Sequence, residues 1–413
     1  MASLIQQAKN FDGSEIVLVD LDREHLAVVE TLARALAARA AVDLSIWSTT
    51  DRESALADCD AVLTSYRPGG FEARNLDESI PLRYGIIGQE TQGPGGFFMA
   101  LRSIHIMHGI VRDMERLCPR ALLINYTNPI NVVSQAVTAM SGVRVVSLCE
   151  GPIIFPRMVT RAAGLDPDKI EAVMIGVNHG SWSVKQSYEG DDLIPLVRRA
   201  WEERDRGHSL DRHRERLLWL TAAMGSIPAD YFQYYYFRDE VLAELRAKPT
   251  TRSQDIMAAV PDYWAHYREQ AASASPALSP AQARGGINEL ELAVDVLDAL
   301  FNRRDEIWPI NVTNNGAVEG LPDELVVEVP GRFHDGSFEA IPSGPLPAPT
   351  RGLVGMLAEY QLLAAQVALE GDRRAGIQAL AANPLVMDLT TATEMYDEMS
   401  AAQAHLLPAR LLR

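Results

Sequence analysis

Along the first 150 residues, short apolar runs closed by polar turns alternate with stretches whose apolar positions recur every three or four residues. The runs Glu15 to Asp20 (EIVLVD), Asp43 to Trp47 (DLSIW), Asp60 to Thr64 (DAVLT), Ala121 to Asn125 (ALLIN) and Arg144 to Leu148 (RVVSL) predict buried strands. Between them, Glu24 to Ala38 places Leu26, Val29, Leu32, Ala33 and Leu36 on one helical face, and Asn131 to Met140 reads likewise. A short amphipathic helix is expected over Ala2 to Asn10. Strands alternating with helices predict a doubly wound, Rossmann-like parallel sheet.

The second half has a different pattern. Asp192 to Leu220 is charged and reads as helix. Residues 271 to 283 (AASASPALSPAQA) read as a low-complexity loop, and Arg284-Gly-Gly286 opens a helix over Asn288 to Asn302. Trp308 to Val312 and Glu324 to Val329 alternate like strands. Gly352 to Leu407 is helical and rich in Ala and Leu, suited to closing a core or forming a subunit interface. The expected division is a first domain over residues 1–150 and an α+β second domain with C-terminal helices over 151–413.

The chemistry concentrates between Ser147 and Trp182, SLCEGP to GVNHGSW. Cys149 follows the RVVSL strand, and His179 follows the apolar run Ala172 to Val177. A thiolate and an imidazole at strand ends suit Mn²⁺, Fe²⁺, Co²⁺ or Zn²⁺, and only two protein ligands leave positions open for substrate. Each residue also has an ordinary reading, Cys149 as a small buried hydrophobe and His179 as a satisfied structural histidine. Asp20 closes its strand where a dinucleotide's ribose hydroxyls are held, or is a plain turn residue. The strand and Gly-rich turn that open a dinucleotide-binding unit do not precede it. The expectation is that the reading start lies late, at an internal Met, within what reads as the first helix. The run Gly88 to Gly96 (GQETQGPGG) reads as a mobile substrate loop with Arg102 beyond it on a helix. Tyr231 belongs to an aromatic cluster at helical spacing, which is ordinary core composition. Its place after a Pro-containing turn, at a helix start, also allows the phenol to face a cleft. There the helix N-terminus and a metal would lower its pKa.

Composition narrows the partners. A net charge of −17 over 413 residues argues against nucleic acid and anionic membranes, though a small anionic substrate needs only a local Arg or two. Three cysteines make no disulfide framework, so a reducing, cytoplasmic setting is expected, and no apolar stretch reads as long enough to span a bilayer.

Taken in order, the motifs Tyr66-Arg67-Pro-Gly-Gly70, GQETQGPGG with Arg102, Asn125-Tyr-Thr-Asn-Pro129, Leu148-Cys149 with Pro152, Gly176-Val-Asn-His179 with Trp182, Tyr231-Phe-Gln-Tyr-Tyr235, Arg284-Gly-Gly286, Asn314-Asn-Gly316 and Val327-Glu-Val-Pro330 resemble glycoside hydrolase family 4. Within it, IPADYFQYYY and DEVLAE are most similar to the 6-phospho-β-glucosidases. The resemblance implies an NAD- and Mn²⁺-dependent glycosidase, with the two-domain architecture of lactate and malate dehydrogenases. It acts on a 6-phosphorylated glucoside by oxidation at C3, loss of the C2 proton and elimination at C1, outside the usual two-carboxylate scheme. It implies Cys149 and His179 as metal ligands, Tyr231 as base, and Asp20, Arg67, Asn125 and Thr127 around the cofactor. Arg102, Asn128 and Arg284 would contact the sugar and its phosphate. Glu150 stands where Asn is expected for β-specific members, and could protonate the leaving group. A homodimer or homotetramer is implied. The alternatives are a lactate/malate-type dehydrogenase and a family member without catalysis.

Overall fold

The computed structural model describes residues 4–5, 7–204, 210–278 and 291–413. Two strands, β1 (Ser14–Val19) and β2 (Leu44–Thr49), pair in parallel as a small separate sheet. The helix Arg23–Ala40 connects them; its N-cap Asp22 accepts from the amides of Glu24 and His25. Among the described residues no strand joins this pair to the main sheet.

The main sheet starts with three parallel strands, β3 (Ala61–Thr64), β4 (Leu122–Asn125) and β5 (Arg144–Ser147). It continues through strands from the second half: β6 (Ile170–Val177), β7 (Gly180–Tyr188), β8 (Asp191–Asp192) and β9 (Glu306–Thr313). A short ladder of β10 (Val318–Glu319) with β13 (Gly344–Pro345) lies apart, while β11 (Val326–His334) and β12 (Ser337–Ala340) complete the main sheet. The order is β3-β4-β5-β9-β11-β6-β7-β8, with β12 on β11. The sheet is parallel at one end and antiparallel from β9 onward, and it runs unbroken across residue 150.

Both faces are covered. On β4, Leu122 and Ile124 join one apolar cluster with the helices Gly151–Ala162 and Arg212–Met224. Leu123 points the other way, into a cluster with the helices Gly93–Leu117, Ile130–Met140 and Arg351–Glu370. Alternation by two along the strand feeds two cores at once, as expected of a sheet with helices on both sides. The stretch Ala348–Glu370 does have the length and apolarity to cross a membrane, with mean hydropathy 1.3, contrary to the sequence reading. Half of that window is buried in the fold, as a core helix requires.

The helical region from Asp192 to Leu220 holds the helices Ile194–Glu203 and Arg212–Met224. The C-terminal helices are Arg351–Glu370, Arg373–Ala382 and Leu389–Ala402. One further expectation is corrected: the glycine run is no mobile loop. The helix Gly93–Leu117 begins inside it, and Gly93 to Gly96 are buried. A Cβ on Gly95 would lie 2.1 Å from the Gln89 carbonyl oxygen, and one on Gly96 would lie 2.3 Å from that of Thr91. These glycines let backbone pack on backbone.

Arg102 is also corrected. Its guanidinium is fully buried and forks onto Asp77, at 3.0 Å and 2.6 Å, with Gln403 closing the group. Burial pushes the Asp77 carboxyl up, and Arg102 is what pulls it back. The cation needed to neutralise Asp77 cannot also face a substrate. Arg102→Ala is therefore expected to cost about 3–5 kcal/mol, the usual penalty for orphaning a buried charge. The measurement is a urea unfolding midpoint with an unchanged m-value; a cost below about 1 kcal/mol would contradict the structural role.

Candidate functional site

The site forms where the chain leaves β5 and where β6 turns into β7. Cys149 stands two residues beyond β5 and keeps part of its surface accessible. The Gly151 amide, at the start of the next helix, donates to its sulfur at 3.4 Å. Asn178 and His179 are the two central residues of the β6–β7 hairpin, between the paired Val177 and Gly180. His179 holds φ at +61°, a left-handed conformation that is uncommon outside glycine and concentrates at functional sites.

His179 is nearly buried, and burial lowers its pKa to about 3, so the ring is neutral. Its tautomer follows from donor bookkeeping. The Gln89 side-chain oxygen accepts from the amides of Thr91 at 2.5 Å and Gln92 at 2.7 Å. The Thr91 hydroxyl lies 3.0 Å from that oxygen and 3.1 Å from His179 Nδ1. A hydroxyl has one proton, and the Gln89 oxygen can only accept it. The hydroxyl therefore accepts from Nδ1–H, and Nε2 carries the lone pair that could hold a metal.

Tyr231 closes the site from the other side. Its ring stacks on His179 with centroids 3.8 Å apart and planes 11° from parallel, and Phe155 meets it edge-on at 6.2 Å. Burial lifts the phenol's pKa well above its ordinary value, and charge on Cys149 adds to the lift. Burial likewise pushes the Cys149 thiol up to about 12, helped by Glu328, while Gly151 and Asn178 favour the thiolate. In the chain alone both groups hold their protons. This differs from the lowered tyrosine pKa expected from the sequence, because burial outweighs the helix terminus when no cation is present. A dication between sulfur and imidazole would reverse the sign for both. The donor set fits one: a neutral imidazole with a free Nε2, a thiol with a hydrogen-bonded sulfur, and the side-chain oxygens of Asn128 and Asn178, buried with no hydrogen-bond partner. Among the described residues no group of three or more His, Cys, Asp or Glu gathers to hold a metal.

The remaining candidates fall around this centre unequally. Glu150 caps the helix that follows Cys149 and is partly exposed. Asn128 precedes Pro129, and its carbonyl accepts from Ser103 at 3.0 Å. Asp20 is exposed just beyond β1, and its carboxylate accepts from the Asp22 amide at 3.0 Å. Asn125 orders the turn: its side-chain oxygen takes the Thr64 hydroxyl and the Thr127 amide, and its nitrogen donates one proton to the Thr127 carbonyl. Thr127 has a buried hydroxyl without a partner. Arg67 pairs with Glu90 at 2.7 Å. Arg284 lies outside the described residues.

Several residues the sequence reading passed over hold this arrangement. Glu90 also pairs with the buried Arg74 at 2.9 Å, and Arg74 with Glu78 at 2.7 Å, which clamps the segment carrying Thr91. Tyr235 donates to the Gln92 side chain at 2.7 Å, tying the tyrosine cluster to that segment. Polar residues spaced by one in GQETQ were the available signal.

Comparison with known proteins places this geometry. The chain matches the family 4 glycosyl hydrolase over residues 1–165 and the family 4 glycosyl hydrolase C-terminal domain over 174–386. It is 34% identical to a "probable 6-phospho-beta-glucosidase" of Bacillus subtilis (strain 168), over 95% of this chain and 90% of that protein. A 6-phospho-alpha-glucosidase from gut microorganisms, solved with NAD and Mn²⁺, superposes with a TM-score of 0.87 at 23% identity, covering 100% of this chain and 96% of that one. A lactate dehydrogenase from Cryptosporidium parvum shares the fold at a TM-score of 0.53 and 15% identity, over 89% of this chain and 93% of that one.

Thr91→Val keeps shape and removes the acceptor for Nδ1–H. It is expected to weaken Mn²⁺ binding about 10-fold or more, as losing an outer hydrogen bond to a metal-binding His does. Calorimetric titration of Mn²⁺ checks this; unchanged affinity would remove Thr91 from the role.

Proposed function

The chain belongs to family 4 of the glycosyl hydrolases, and on that premise we propose that it hydrolyses the glycosidic bond of a 6-phosphorylated glucoside with NAD and Mn²⁺. The observation that carries this reading is the stack of Tyr231 on His179 beside Cys149, which sets a phenol against a sulfur- and nitrogen-based cation site. When bound, the dinucleotide supplies a hydride acceptor and the dication supplies positive charge against the sugar's C2 and C3 oxygens.

The chain's own residues do the rest. Cys149 and His179 grip the dication, the first after giving up its proton. Tyr231, its phenol deprotonated beside that charge, takes the C2 proton of the oxidised sugar. Glu150 delivers a proton to the departing oxygen as the C1–O bond breaks; water then adds at C1 as C2 regains a proton, and C3 takes back its hydride, so that hydrolysis leaves no net oxidation. Asp20 receives the ribose hydroxyls of the dinucleotide, Thr127 and Arg67 line its path, and Asn125 shapes the turn that presents Thr127. Asn128 orients the sugar. With Arg102 committed to Asp77, Arg284 is left to meet the phosphate. Assembly as a homodimer or homotetramer belongs to the same reading. It is supported by the exposed apolar side chains Leu363 and Leu389 on the C-terminal helices.

A lactate-type dehydrogenase needs neither a thiol at a strand end nor a tyrosine stacked on an imidazole. Both are present here, and the likeness to that class is one of fold.

Turnover of a nitrophenyl 6-phosphoglucoside is expected to require both Mn²⁺ and NAD⁺ and to stop on chelation. In D₂O the released sugar should carry deuterium at C2. Tyr231→Phe is expected to lower kcat by about 10²–10⁴-fold and suppress C2 exchange while leaving Mn²⁺ affinity in place. Turnover that survives both chelator and cofactor removal would overturn the reading. Wild-type C2 exchange in Tyr231→Phe would assign the base elsewhere.

A further inference from the structure

Glu328, the third residue of β11, stands between two valines and is 1% exposed. Its backbone neighbours are Gly176 on β6 and Asn311 on β9. Asn311 in turn faces Ser147 on β5, and Gly176 faces Ser181 on β7. These five residues therefore form one row across five strands, two positions before Cys149 and three before His179. Residues in such a row lie side by side and share a face of the sheet.

Hydrogen bonds from the row and from the neighbouring hairpin converge on the carboxylate. Asn178 donates its Nδ2 to Glu328 at 2.8 Å, and Ser181 donates its hydroxyl at 2.7 Å. Asn178 and Ser181 flank His179 and Gly180 in the β6–β7 hairpin, so the carboxylate holds both sides of the turn that carries His179. The Asn178 oxygen is left buried without a hydrogen-bond partner. An amide has no intrinsic preference for that orientation. A carboxylate, which when ionised can only accept, imposes it.

We infer that Glu328 is a positioning residue for the cation site, fixing the Asn178 amide and with it the hairpin turn that carries His179. The inference rests on the proposed cation site at Cys149 and His179. Glu328 touches neither ligand. It acts through Asn178, while its charge beneath the site adds to the attraction for a dication.

Glu328→Gln is the direct test, because it keeps size and adds a competing donor. The new amide can point its nitrogen at Asn178, which must then turn its oxygen toward it and its nitrogen away. Mn²⁺ affinity, read by calorimetry in the full-length protein, is expected to fall about 10-fold or more. NAD⁺ affinity and the thermal midpoint are expected to stay near wild type. Ser181→Ala, which removes one neutral donor and leaves the Asn178 contact, is expected to shift Mn²⁺ affinity less than Glu328→Gln does. Mn²⁺ affinity of Glu328→Gln within twofold of wild type would overturn the inference while leaving the cation site standing. Parallel loss of Mn²⁺ affinity, NAD⁺ affinity and thermal midpoint would reduce Glu328 to a packing role and overturn it as well. Wild-type protein that binds no Mn²⁺ would remove the site and the inference together.

Discussion

A polar row runs beneath the cleft from Ser147 on β5 to Ser181 on β7, and the site depends on it. Cys149 and His179 leave the sheet from strands that are not neighbours. Both β9 and β11 stand between β5 and β6. At an interstrand spacing of about 4.8 Å, the two strand ends are roughly 14 Å apart in the sheet. A sulfur and a nitrogen that must share one cation therefore have to lean toward each other over the intervening strands. The Leu148 to Glu150 turn and the Asn178–His179 hairpin supply that lean, and Glu328 holds the hairpin through Asn178 and Ser181.

Holding these groups in a dry site has an electrostatic consequence. Burial keeps Cys149 and Tyr231 protonated and His179 neutral when nothing is bound. Cys149, His179 and Tyr231 are therefore uncharged, with the carboxyl groups of Glu328, Glu150 and Glu90 near them; burial pushes that of Glu328 up to about 7, against hydrogen bonds from Ser181, Asn178 and Asn311. A dication entering such a site replaces protons rather than competing with a preformed cation. The same desolvation makes the phenol a poor base alone and a strong one beside positive charge. Acid–base chemistry and cation binding are thus one property of the cleft.

Much of this was legible from the residues. Apolar runs located β1 to β6, and strand ends located Cys149 and His179, because a strand end is set by local pattern. Tyr231 was legible from its turn. What could not be read depends on which partner sits across a fold. Arg102 reads as a free cation until Asp77 meets it, 25 positions away along the chain. Asn125 reads as a cofactor contact, and its part in closing the turn at Thr127 shows only once Thr64 is placed beside it. The glycine run reads as flexible until helix and backbone are seen packed upon it. Glu328 stands between two valines, where the polar residue should face water; helices cover both faces here, so alternation no longer separates inside from outside.

The central claim is that one divalent ion is held jointly by the Cys149 sulfur and the His179 ring. Substitution with Co²⁺ tests it most directly, since thiolate coordination gives a sulfur-to-metal charge-transfer band in the near ultraviolet. The account predicts that band in the wild-type protein, its loss in Cys149→Ser, and weakened Co²⁺ binding in His179→Ala. A wild-type Co²⁺ complex without the band, or a band that persists in Cys149→Ser, would contradict it.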